Sequence, residues 1–133
     1  MRLYLSHSIR GKEGPKASLD TQNHNCEEAK RIANILRGLF PRLELYVPAE
    51  NETFVQIAFD RGYITEEQIL WVDCAIIDTL DGVIVYVPDG DELQGGRLVE
   101  FRHARATNKW CITFSNANQA ANWIEAMYRR VQI

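Results

Sequence analysis

A basic surplus is the first thing this 133-residue chain lacks: 15 Lys and Arg stand against 18 Asp and Glu, a formal net charge of −3. A nucleic-acid binder normally carries a positive stripe or excess, so that class is disfavoured. No apolar run approaches the roughly 20 residues that span a bilayer, which argues against a membrane protein. Met1-Arg2-Leu3-Tyr4-Leu5 reads straight into a strand, without the apolar core or cleavage site of a signal peptide. Cysteine is scarce too. Cys26, Cys74 and Cys111 are odd in number and form no metal-type spacing, as expected of reduced thiols in a cytoplasmic protein. Repeats, low-complexity stretches and linkers are also missing, so one domain over residues 1–133 is expected.

What is present is an alternation of strand and helix. Leu3 to Ser6 reads as a strand and Ser8 to Asn23 as a polar loop; Asn25 with Glu28 resembles a capping box opening a helix that ends at Gly38 to Pro41. Leu43 to Val47 is a second strand. Asn51 to Gly62 reads either as a short helix or as a loop, and Thr65 with Gln68 caps the next helix. Gly82 to Val87 is a nearly continuous apolar run, the mark of a strand buried on both faces. A turn-rich loop, Pro88 to Gly96, precedes a helix through Thr107, then the strand Trp110 to Phe114 and a last helix from about Asn118 to Tyr128. This order predicts an α/β fold of three layers, flavodoxin- or Rossmann-like, with four to five mainly parallel strands. Ligands on such a sheet bind beyond the carboxyl ends of the strands, which gathers the loops that follow them.

One residue conflicts with its surroundings. With about 100° of rotation per residue, Asp73 lies within roughly 60° of Ile69, Leu70, Ile76, Ile77 and Leu80 on the helix from Thr65 to Leu80. A carboxylate in an apolar stripe is costly unless paired, hydrogen-bonded or protonated, and such costs concentrate at sites. The plainer reading is an Asp at the rim of the stripe, satisfied by a neighbour. The loops supply candidates for company. Ser6-His7-Ser8-Ile9-Arg10-Gly11-Lys12 follows the first strand and suits an anion, with amides and hydroxyls donating and Arg10 gripping, although a solvated basic loop has the same composition. Gly95 and Gly96 allow close backbone approach and put Glu100 in or near a first helical turn, where the dipole favours its ionised form; a Glu there is also commonplace and merely stabilising.

Together these pieces resemble the 2′-deoxynucleoside 5′-phosphate N-hydrolases, relatives of the nucleoside 2-deoxyribosyltransferases. Leu3-Tyr4-Leu5-Ser6-His7-Ser8-Ile9-Arg10-Gly11 is similar to the first motif of that family, Asp73 and Asp81 keep the eight-residue spacing of the second, and Glu100, Ala104, Asn108 and Lys109 follow the third. The resemblance implies cleavage of the N-glycosidic bond of a (deoxy)nucleoside 5′-monophosphate. Glu100 would be the nucleophile, Asp73 would handle the leaving base, and Tyr4 would orient Glu100. Ser6, Ser8, Ile9, Arg10, Gly11, Gly95 and Gly96 would hold the substrate. Ser115 and Asn116 would complete the site of a neighbouring subunit in a homodimer or higher homo-oligomer. Two carboxyls about 5 Å apart would suit such a retaining reaction. Neither metal nor other cofactor is implied, and the partner would be a small-molecule nucleotide. His7 departs from the small Gly of the family motif, Gln94 stands where those hydrolases carry a phosphate-binding Ser, and the Pro88 to Gln94 loop is longer by about three residues. A deoxyribosyltransferase would share the chemistry, and a non-catalytic nucleotide sensor or sponge would share the fold. A receiver module is disfavoured, since Ser6 and His7 stand where its acidic pair belongs. The Gly95-Gly96 pair ahead of a Glu faintly resembles the phosphoribohydrolases that release cytokinins, without their following Gly-Thr.

Overall fold

A computed structural model describes residues 1–9 and 16–131. Four strands, β1 (Arg2–Ser6), β2 (Glu44–Tyr46), β3 (Gly82–Tyr86) and β4 (Trp110–Phe114), form an all-parallel sheet in the order β2-β1-β3-β4. Five helices accompany them: α1 (Leu19–Leu39), α2 (Glu52–Asp60), α3 (Glu66–Asp78), α4 (Gly95–Ala106) and α5 (Ala117–Val131). The α/β architecture with a parallel sheet is therefore as expected, with four strands.

Alternation along β1 and β3 divides the core. Leu3, Leu5 and Ile84 point to the side of α1 and α5, where Ile32, Leu36, Phe114 and Ile124 bury with them. Tyr4, Val83 and Val85 point the other way, against Ile77, Leu80 and Ala104 of the α3 and α4 side. Helices thus cover both faces, as a fully buried parallel sheet requires. Because β1 connects outward to β2 while β3 connects outward to β4, the crevice at the top of the sheet opens between β1 and β3.

Local chemistry sets the boundaries. Thr65 and Gln68 do form a reciprocal capping box, the Gln68 N–H donating to Thr65 Oγ1 at 3.1 Å and the Thr65 N–H to Gln68 Oε1 at 2.9 Å. Asn25 does not cap α1. That helix begins six residues earlier behind Ser18, whose Oγ accepts the Thr21 N–H at 3.1 Å, and Asn25 instead donates from Nδ2 to the Ile9 carbonyl at 2.8 Å. A hydroxyl followed by the first-turn acid Asp20 outcompetes a mid-helix amide for the end. Residues Glu52–Asp60 are helical, which decides between the two readings of that segment. Asn108 takes φ of +57°, a left-handed position that asparagine tolerates, and turns the chain from α4 into β4. Next to it, Lys109 Nζ donates to the Asp78 carbonyl at the end of α3, 3.1 Å away. Among the described residues, no helix is long and apolar enough to cross a membrane.

Candidate active site

β1 delivers two hydroxyls to one carboxylate. Tyr4, fully buried, donates its phenolic O–H to Glu100 Oε2, and Ser6 Oγ donates to Glu100 Oε1 at 2.7 Å. Residues 4 and 6 share a face of the strand, so the period of 2 places both hydroxyls toward α4. Glu100 is 5% exposed and borders a cavity of about 660 Å³ at the crevice between β1 and β3. Tyr4, Asp73, Gly95 and Gly96 border the same cavity.

Asp73 is half-buried, with Ile69 and Leu70 beside it on the cavity wall, while Ile77 and Leu80 continue the stripe into the core. The expected burial is therefore partial, because this part of the stripe faces an opening. Burial nevertheless raises the Asp73 carboxyl to about 6, against the lowering influence of the nearby Tyr4 hydroxyl. Glu100 corrects a second expectation. Its helix starts at Gly95, so Glu100 is the sixth residue of α4, past the first turn over which a helix dipole acts. Burial dominates there and lifts its carboxyl to about 7; the Tyr4 and Ser6 hydroxyls and the Arg97 charge pull it down, and Asp73 pushes it up. Two hydroxyl donors on one carboxylate favour its ionised form, so Glu100 is poised near neutrality.

The other candidates fall into three groups. Ser8 and Ile9 border the cavity, as does Gln94. Arg10 and Gly11 lie outside the described residues. Ser115 and Asn116 border no part of this cavity: the Ser115 N–H donates to Gln119 Oε1 at 2.7 Å, and Asn116 Oδ1 accepts the Gln119 N–H at 3.1 Å, which caps α5. Ser6 also reaches no cavity; it is fully buried and acts on Glu100. Asp81 fixes the sheet, accepting the Arg2 N–H at 2.8 Å.

Tyr46 and Arg97 were not read from the sequence as part of the site, and His7 was read only as a departure from the family motif. Tyr46 stacks on Tyr4, ring centroids 5.5 Å apart, and walls the cavity together with Val55 and Phe59 of α2. His7, buried, accepts the Ala49 N–H on Nε2 at 3.0 Å, and burial lowers its ring to about 4, so it is a neutral structural joint. Arg97 is 3% exposed and borders the cavity one turn before Glu100. Helical spacing alone, three residues on the same face, could have nominated it. Cys26, Cys74 and Cys111 are free, and among the described residues no group of three His, Cys, Asp or Glu could hold a metal ion.

Fold and site together define an α/β protein with a carboxylate pair and a tyrosine at the switch point of its sheet. No family model matches the chain, and neither the curated proteins nor the solved structures include a significant match to it.

Proposed function

We propose that this protein cleaves the N-glycosidic bond of a (deoxy)nucleoside 5′-monophosphate, releasing the free base. The observation that carries the reading is Glu100, a buried carboxylate gripped by Tyr4 and Ser6 on the wall of a ligand-sized cavity that Asp73 also borders. Glu100 attacks C1′ of the sugar, and the electrons of the C1′–N bond leave with the base. Asp73 supplies the proton that the departing base accepts. Water then attacks C1′ of the glycosyl-enzyme, gives a proton to Asp73 and frees Glu100. Tyr4 holds Oε2 and Ser6 holds Oε1, which orients Glu100 while a further lone pair on Oε1 attacks. Apolar Val55, Phe59, Ile69 and Leu70, with Tyr46, suit a flat base, and the Ser8, Ile9, Gly95 and Gly96 end suits the sugar phosphate. A deoxyribosyltransferase differs only in that a second base, rather than water, resolves the intermediate.

A second copy of the chain belongs to this reading, contributing Ser115 and Asn116 from the loop after β4. It is supported by large apolar side chains left exposed, Phe54, Tyr63, Trp71 and Val72 among them. The three free thiols favour a reducing compartment such as the cytoplasm.

The test is release of free base from a panel of ribo- and deoxyribonucleoside monophosphates and their nucleosides, followed by chromatography. Release from at least one nucleotide is expected, falling about 10³-fold or more in Glu100→Ala and in the isosteric Glu100→Gln. Adding a second free base and finding a new nucleoside would assign the transferase. Tight nucleotide binding with no release from any substrate would replace the catalytic reading with a sensor.

A further inference from the structure

An arginine buried in a cavity wall needs acceptors for its fork of donors and an anion for its charge. Arg97 has both. Nη1 donates to the Tyr86 carbonyl at 2.8 Å and meets Asp91 Oδ2 at 3.0 Å, while Nη2 donates to the Glu92 carbonyl at 2.8 Å. Its side chain is 3% exposed and that of Asp91 14%, so the pair is shielded from water. One guanidinium thereby ties the end of β3 and two points of the Pro88–Gln94 loop to the first turn of α4. That turn carries Gly95, at φ +62°, and Gly96, whose missing side chain leaves room for Leu70 Cδ2, 3.3 Å from where a Cβ would sit. Glu100 follows on the same helix one turn later.

We propose that Arg97 is the positioning residue of this site: its guanidinium fastens the Pro88–Gln94 loop onto α4 and supplies the positive charge that faces Glu100. Arg97 lies one turn before Glu100 on the same helix, both side chains are buried and both border the cavity, and its charge bears on Glu100 and on His7 alike. Among the described residues, the groups facing Glu100 are Tyr4 and Ser6 from β1, Tyr46 from β2, Asp73 and Cys74 from α3, and Arg97 from its own helix. Among these Arg97 alone is cationic, so its charge adds to the Tyr4 and Ser6 hydroxyls in opposing burial and the Asp73 charge and keeping Glu100 ionised. With three of its donors on Tyr86, Glu92 and Asp91, Arg97 does its work by holding the loop and setting the field. The catalytic consequence, a Glu100 ready to attack at neutral pH, rests on the reading of Glu100 as nucleophile, whereas the loop and the charge do not.

Two readouts on the free protein separate these parts: the titration of the Glu100 carboxyl carbon by NMR and amide hydrogen exchange across residues 88–94. Arg97→Gln removes the charge and keeps an amide that can donate to a carbonyl; Arg97→Lys keeps the charge and loses the fork. Because Arg97→Gln leaves the half-buried Asp91 without its cation, the double variant Arg97→Gln/Asp91→Asn is the one best able to fold. Loop exchange should accelerate at least about tenfold in all three variants, a change that tracks local opening. The Glu100 midpoint should rise in Arg97→Gln, rise less in the double variant, which also removes the Asp91 charge, and stay within a few tenths of wild type in the Lys variant. A midpoint equal in wild type, Gln and Lys variants would reduce Arg97 to packing and overturn the electrostatic half; unchanged exchange would overturn the loop half. If the wild type releases no base while both readouts behave as expected, the hydrolase reading fails and the role of Arg97 stands.

Discussion

Tyr4 and Ser6 compete with the desolvation of Glu100, and the result is a carboxyl near 7 beside an Asp73 near 6. Two groups so close in affinity titrate as a pair. Below about 6 both are protonated and the nucleophile is quenched; above about 7 both are ionised and the departing base has no proton donor. Between these limits the pair holds one proton; most of it sits on Glu100, the group with the higher affinity, and the productive arrangement, with the proton on Asp73, is the minority form. The rate of base release should therefore be bell-shaped, with a maximum between about pH 6 and 7. Asp73→Asn should depress the maximum and abolish the fall on the alkaline side, since the remaining carboxylate then needs only to be ionised. A rate that climbs steadily from pH 7 to 9 in the wild type would remove Asp73 as the acid. At this scale the sequence was informative: an acid inside an apolar stripe drew attention to Asp73, and the resemblance paired Tyr4 with Glu100. It was silent on Arg97, because a buried arginine in three polar contacts carries no pattern of its own; its partners are carbonyls and an Asp on a loop, invisible until the chain folds.

The elements were legible where local chemistry and burial agreed. Gly82-Val83-Ile84-Val85 had to be a central strand, and the Thr65–Gln68 box had to start α3. Reading failed at α1, where Asn25 and Glu28 mimic a cap but Ser18 provides it, and at α4, where the Gly95-Gly96 pair looked like loop and is already helix. Glycine there hid the true first turn and made Glu100 look closer to the helix dipole than it is. The sheet itself depends on a glycine for a different reason. A Cβ on Gly82 would sit 2.7 Å from the Trp110 carbonyl oxygen and 2.8 Å from its Cβ, so β3 and β4 approach too closely at their start for any side chain. Their register begins with this Gly82–Trp110 pair. Gly82→Ala should cost about 1–3 kcal/mol, with backbone having to shift rather than a flexible side-chain tip. A urea titration would show it as a lower midpoint at unchanged slope, whereas Gly38→Ala, where a Cβ meets nothing within 4 Å, should hold or gain stability. Equal midpoints for Gly82→Ala and wild type would mean that the two strands are not held as close as described.

At the scale of the molecule, the two faces of the sheet are sealed but one flank is not. Trp71 is 60% exposed, Val72 51%, Phe54 79% and Tyr63 74%, all contributed by α2, α3 and the turn between them. Scattered apolar side chains are ordinary on a surface, yet four large ones on adjoining elements next to the cavity wall are an invitation to a partner. The apolar residues of α3 have three uses, with Ile77 in the core, Ile69 and Leu70 at the cavity, and Trp71 and Val72 outside the stripe that carries Asp73. If a second copy covers this flank, sedimentation of the wild type should give a dimer at micromolar concentration, and Trp71→Glu should shift it toward monomer by about tenfold or more in dissociation constant, the loss of one buried aromatic anchor. Circular dichroism and thermal unfolding at matched monomer fraction should then be unchanged, since Trp71 supports no core. Base release measured across the same dilution series separates assembly from completion of the site: activity that falls together with the dimer supports a shared site, while monomer with full activity limits the flank to association and takes Ser115 and Asn116 out of the chemistry.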